Sequence, residues 1–119
     1  MDSYDKTAEV FRLLAHPARL QIMDELRRAE ACVCHLQTVL KRPQAYVSQQ
    51  LRVLRDAGLV EDNREGTLVY YRVIDPAVER LLEESLGPTG EPIRVDTCPC
   101  PYCQAEFAPQ PAAAATANA

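Results

Sequence analysis

Between Pro43 and Gly58 the chain places Val47, Leu51 and Leu54 at i, i+4 and i+7. That is an apolar stripe on one face of a helix which opens with proline and stops at a glycine able to turn left-handed. This element constrains the fold most, because it dictates what can stand on either side of it. Upstream, Leu36, Val39 and Leu40 mark a short helix that begins near Cys32 to Cys34 and must stop before Pro43, leaving a tight turn between the two. Downstream the periodicity changes. Residues 59–64 and 68–74 are β-prone runs on either side of Glu65-Gly66-Thr67, and together they read as a hairpin. A short helix, a tight turn, a longer helix and a hairpin, in that order, make a winged helix-turn-helix, a fold whose second paired helix enters the major groove of DNA.

Three more helices complete the pattern. Val10, Phe11, Leu13 and Leu14 form a first stripe that ends before His16-Pro17, and Leu20, Met23 and Leu26 form a second that runs to about Arg28. The fifth opens at Pro76, carries Val78, Leu81, Leu82 and Leu86, and ends at Gly87-Pro88. The fold class is therefore mainly α with a small β-hairpin: about five helices and a two-stranded wing. A core drawn from 119 residues is marginal alone, and the last amphipathic helix needs a partner surface, so a homodimer is expected. Residues 1–86 form the DNA-binding and dimerisation domain and 87–119 a cysteine-containing tail. Its linker carries Pro88, Gly90 and Pro92, and after about residue 104 the proline- and alanine-rich composition is that of disorder.

No apolar run is long enough to span a membrane, and the start, Met1-Asp2-Ser3-Tyr4-Asp5-Lys6, has no apolar stretch like a secretion signal. A cytoplasmic protein follows, with no membrane partner. There thiols stay reduced, and five cysteines cannot all pair within one chain, so ligation or redox chemistry fits better than a disulfide framework. The formal net charge of −4 argues against DNA until it is divided along the chain. Residues 31–72 hold 6 Lys+Arg against 4 Asp+Glu, while residues 73–119 hold 2 against 7. Lys41, Arg42, Arg52, Arg55, Arg64 and Arg72 can thus face phosphate while the acidic ends orient the molecule. On the second helix of the pair, Gln44, Tyr46, Ser48, Gln49 and Arg52 lie near the start or opposite the apolar stripe. Amides suit adenine and arginine suits guanine, Ser48 and Tyr46 suit phosphate, and Arg64 at the hairpin tip suits backbone or minor groove. No nucleophile with an obvious base, glycine-rich phosphate loop or carboxylate pair supports an enzyme, and no organic cofactor is indicated.

The segment Leu13-Leu14-Ala15-His16-Pro17-Ala18-Arg19-Leu20, with Val47-Ser48-Gln49-Gln50-Leu51 through Gly58-Leu59-Val60, resembles the ArsR/SmtB family of metal-sensing repressors over about residues 5–86. The resemblance implies a homodimer joined through the first and fifth helices, bound to an imperfect palindrome in double-stranded operator DNA and released by a metal or metalloid. Cys32-Val33-Cys34-His35-Leu36 is similar to the Cys-Val-Cys-Asp-Leu motif of the arsenic and cadmium/lead branch, with His35 in place of the aspartate. The zinc-sensing branch uses Asp and His ligands along its last helix. Residues 76–86 contain no histidine, which leaves thiols as the sensor.

Two cysteine clusters are candidates for the metal. Cys32 and Cys34 stand at i and i+2, which point to nearly opposite sides of an intact helix. Either Cys32 precedes the helix as its cap, or binding both sulfurs distorts the helical entrance. Cys98, Cys100 and Cys103 form a tighter set stiffened by Pro99 and Pro101. Three thiolates suit As(III) or Pb(II), and Sb(III) by the same chemistry. Cd(II) or Zn(II) asks for a fourth ligand, which Cys32, Cys34 or His35 could supply. His35 otherwise reads as a surface or capping residue. Two further functions stay open: a redox switch through a disulfide or persulfide, and an interaction module with structural zinc in its tail.

Overall fold

The computed structural model describes residues 2–91 and 93. Five helices and three strands follow one another as α1 (Ser3–Leu14), α2 (Pro17–Arg28), β1 (Ala31–Cys32), α3 (Val33–Leu40), α4 (Gln44–Asp56), β2 (Val60–Glu65), β3 (Leu68–Val73) and α5 (Pro76–Leu86). Two of the helix starts, those of α1 and α5, are set by side chains that satisfy otherwise orphaned amides. The Asp2 carboxylate accepts from the Asp5 N–H at 2.9 Å, and Asp75 accepts from Ala77 and Val78. Pro17 and Pro76 open their helices, where a missing N–H costs nothing.

The apolar stripes meet in one core. Ile22 and Met23 from α2, Leu36 from α3, Val47, Leu51 and Leu54 from α4 are fully enclosed, with Leu59, Val78 and Leu82 almost so. Burying each of the larger side chains contributes about 1.5–3 kcal/mol, which holds α4 against α2 and α3 with its opposite face outward.

The turn between α3 and α4 is made differently from the proline-driven stop expected. Lys41 takes the left-handed conformation (φ 57°, ψ 46°) as the C-cap of α3, and Arg42 N–H returns to the Gln37 carbonyl at 3.3 Å. Pro43 is then the extended N-cap of α4, one residue before its first turn. At the far end α4 closes in a Schellman motif. Gly58 N–H bonds to the Arg55 carbonyl and Leu59 N–H to the Leu54 carbonyl, both at 3.0 Å, with Gly58 at φ 81°. A Cβ on Gly58 would meet nothing within 4 Å. Gly58→Ala is therefore expected to cost only the left-handed backbone penalty, about 1–2 kcal/mol, read as a lower urea midpoint with an unchanged slope.

The hairpin is antiparallel, closed by the pair Glu65 and Leu68 around Gly66-Thr67, with Gly66 at φ 65°. It is not the whole sheet. Ala31 pairs with Tyr71 and Cys32 with Tyr70, so β1 adds a third strand in the order β1-β3-β2 and places β3 in the middle. Two residues are too few for a period-2 pattern, so the sequence signals only the two-stranded wing. Among the described residues no helix is long and apolar enough to cross a membrane.

Candidate DNA-reading face and thiol site

Because Val47, Leu51 and Leu54 are committed to the core, α4 turns Gln44, Gln49 and Arg52 fully outward and leaves Tyr46 and Ser48 half-buried. The Arg42 guanidinium stacks over the Tyr46 ring at 4.2 Å from its centroid, a cation–π contact at the N-terminal end of α4. Arg64 is exposed on β2, opposite Val69 and next to the hairpin turn. These six expected positions thus lie on the exposed or half-exposed side of α4 and on the wing.

Two of the cations expected to face phosphate are engaged elsewhere. Arg72 meets Glu61 across the β2/β3 ladder, Nε to Oε2 at 2.6 Å, and Arg55 meets Asp62 at 3.3 Å, tying the end of α4 to the wing. Such exposed pairs contribute little to stability, but they remove positive charge from any phosphate contact. Among the described residues no carboxylate forms an ion pair with Lys41, Arg42, Arg52 or Arg64.

One brace was missed from the sequence. Gln50, given no role there, is 7% exposed. Its Oε1 accepts from Arg19 Nε at 2.8 Å, and Arg19 Nη1 also donates to the Leu13 carbonyl at 3.2 Å. One guanidinium thereby joins the end of α1, the start of α2 and the middle of α4. The signal available was position alone: Gln50 stands beside Leu51 on the stripe side of α4.

The thiol pair takes the first of its two anticipated geometries. Cys32 is extended (φ −90°, ψ 168°), serves as the N-cap of α3 and belongs to β1; Cys34 lies within the first turn. Its place outside the helix removes the expected opposition of i and i+2. Cys32, 3% exposed, packs with Tyr70, and Cys34, Val39 and Leu68 pack against them. Cys32 is buried and Cys34 half-buried. Thr38 Oγ1 donates to the Cys34 carbonyl at 3.2 Å, holding the first turn of α3.

His35 departs from the surface or capping role expected of it. It is 2% exposed, and its Nε2 lies 2.7 Å from Oε2 of Glu25, itself 3% exposed. Nε2, one of its two nitrogens able to ligate a metal, is thereby committed to a carboxylate on α2. Among the described residues no group of three or more His, Cys, Asp or Glu side chains is placed to hold a metal ion. Cys32 and Cys34 supply two soft donors; Cys98, Cys100 and Cys103 lie outside the described residues.

Comparison with known proteins agrees with this architecture. Residues 16–62 match the model for "Bacterial regulatory protein, arsR family". The chain is 43% identical over 84 residues to a transcriptional repressor SmtB homolog of Synechocystis sp., covering 71% of this chain and 64% of that one. It is 39% identical over 82 residues to the arsenical resistance operon repressor of Bacillus subtilis, covering 68% of this chain and 78% of the relative. Among solved structures, a homodimeric winged helix-turn-helix DNA-binding domain from Mycobacterium bovis, described as a possible ArsR-family regulator, superposes with a TM-score of 0.64. It is 37% identical and matches 70% of this chain and 77% of that one.

Proposed function

Since the chain belongs to the ArsR family and is a DNA-binding transcriptional repressor rather than an enzyme, we propose that As(III) or another thiophilic ion, taken up by cysteine thiolates, releases it from its operator. The observation that carries this is the junction of Cys32 and Cys34 in one cluster at the start of α3, where β1 ends and the helix pair begins. A ligand on those sulfurs changes how α3, and through it α4, is held. Two donors do not satisfy a trigonal As(III) centre, so the third thiolate comes from Cys98, Cys100 or Cys103, within one subunit or across a homodimer. Sb(III), Cd(II), Pb(II) and Zn(II) are the alternatives that the same donor set admits. A reducing cytoplasm keeps the thiols available.

DNA contact is assigned to Gln44, Tyr46, Ser48, Gln49 and Arg52 on α4 and Arg64 on the wing, in a homodimer whose symmetry matches paired half-sites. Arg52→Ala is expected to cost about 1–3 kcal/mol of binding and to relax preference at one base pair. Arg64→Ala weakens all sequences alike and lowers the salt slope by about 1. Fluorescence anisotropy on operator variants at several salt concentrations separates the two.

The test of sensing is arsenite titration of reduced protein with simultaneous readout of bound operator. Release in step with thiol occupancy supports the assignment, and unchanged binding at full occupancy refutes it. The second function, a redox switch, draws on the same two cysteines. It predicts loss of DNA binding after mild peroxide with no metal present, and fails if thiol counting shows oxidation without that loss.

A further inference from the structure

The chain that leaves α5 is fastened back onto the end of α2. Arg27 Nη1 donates to the Gly87 carbonyl at 2.9 Å and to Thr89 Oγ1 at 3.4 Å, and Arg28 Nη1 donates to the Glu91 carbonyl at 3.2 Å. Asp24 holds both guanidinium groups, at 2.8 Å from Arg27 Nε and 2.9 Å from Arg28 Nη2. The Arg27 side chain is only 4% exposed. The last contact reaches furthest inward. The Ile93 N–H donates to Oε2 of Glu25 at 3.0 Å, the same buried oxygen that lies 2.7 Å from His35 Nε2. His35 stands in the first turn of α3, directly after Cys34.

We propose that Glu25 is a positioning residue through which a strap, formed by residues 87–91 and 93, sets how firmly the start of α3 is held. One carboxylate oxygen serves a strap amide and an α3 imidazole together, so each contact restricts the rotation of the carboxylate that the other uses. With the strap docked, Glu25 is fixed and His35 pins the first turn. With the strap released, Glu25 keeps His35 but recovers side-chain freedom, and the first turn of α3 loosens. This deepens the thiol-sensing assignment and rests on it in one respect only: the strap leads on to Cys98, Cys100 and Cys103, so a ligand taken there acts on α3 through Glu25.

The deciding experiment is amide hydrogen exchange on the full-length reduced protein without metal. Ile93→Pro removes the strap donor while changing a side chain that is 45% exposed. It is expected to quicken exchange about fivefold at residues 37–40, whose helical bonds close on the first turn of α3. Glu25→Ala, which removes the shared acceptor, is expected to quicken the same amides. The double variant should add nothing to Glu25→Ala alone, because both act along one path. Wild-type exchange at residues 37–40 in Ile93→Pro, or full additivity in the double variant, overturns the proposal. If Glu25→Ala does not fold, Ile93→Pro decides by itself. A second arm uses arsenite as the probe and a duplex selected by the wild-type protein from a random pool. An Ile93→Pro protein that binds arsenite with wild-type stoichiometry but releases less DNA supports the strap, and wild-type release counts against it. Arsenite that fails to bind the wild-type protein instead refutes the thiol assignment, leaving the exchange result to judge Glu25.

Discussion

Arsenite added to the fully reduced protein is expected to weaken operator binding about 5- to 150-fold, the range that corresponds to about 1–3 kcal/mol of coupling between two sites. A sizeable coupling follows from where Cys32 sits. Its backbone belongs to the ladder with Tyr70, its side chain is buried against the Tyr70 ring, and it caps α3. An ion large enough to bridge Cys32 and Cys34 must displace some of that packing or open the two-residue strand, and either change reaches both the wing and the helix pair. Two variants divide the work. Cys32→Ser with Cys34→Ser retains three thiols in the tail and is expected to bind arsenite while release of DNA falls to the part that passes through the strap and Glu25. The triple serine variant at Cys98, Cys100 and Cys103 leaves two donors and is expected to lose most arsenite affinity. Thiol protection by arsenite and anisotropy of labelled operator, followed in one titration, give both numbers. Full release by the first variant would show that the Cys32/Cys34 pair is structural.

The fold could be read where apolar residues repeat over several turns. The stripes Val47, Leu51, Leu54 and Val78, Leu81, Leu82 gave α4 and α5 because burial acts on a whole face and overrides local uncertainty. The misses share a different character. β1 has two residues, Lys41 is a lysine in a left-handed position, and His35 is one polar residue among apolar ones. β1 and His35 are decided by partners distant in sequence, Tyr70 and Tyr71 for β1 and Glu25 for His35, which no local window contains; Lys41 is held locally, its N–H and that of Arg42 returning to the Gln37 carbonyl. For the candidate site, the outward residues of α4 followed directly from its stripe. The pairing of Arg55 with Asp62 and of Arg72 with Glu61 did not, because it depends on hairpin register.

Glu25→Ala is expected to destabilise the protein by about 3 kcal/mol, a large share of the roughly 5–15 kcal/mol available to a domain of this kind. A carboxylate 3% exposed in the middle of a helix can stay only because its oxygens are used: Oε2 by His35 and the Ile93 N–H, and Oε1 by Arg28 Nη1 at 3.8 Å. Alanine withdraws the acceptor from all three at once and leaves a void beside α3. Breaking a buried pair costs about 3–5 kcal/mol when a charge is stranded. An unmet buried polar group costs about 1–3 kcal/mol, and the expected loss lies where the two ranges meet. Glu25→Gln keeps one acceptor oxygen and nearly the same volume, so about 1 kcal/mol is expected. Urea denaturation at one fixed protein concentration compares them, since the proposed homodimer would make apparent stability concentration-dependent. Equal losses for alanine and glutamine would mean that the negative charge itself matters rather than the acceptor. A loss under about 0.5 kcal/mol for alanine, the size of a neutral surface change, would mean that α3 is held without Glu25. The buried His35 would then have to be explained by its other surroundings.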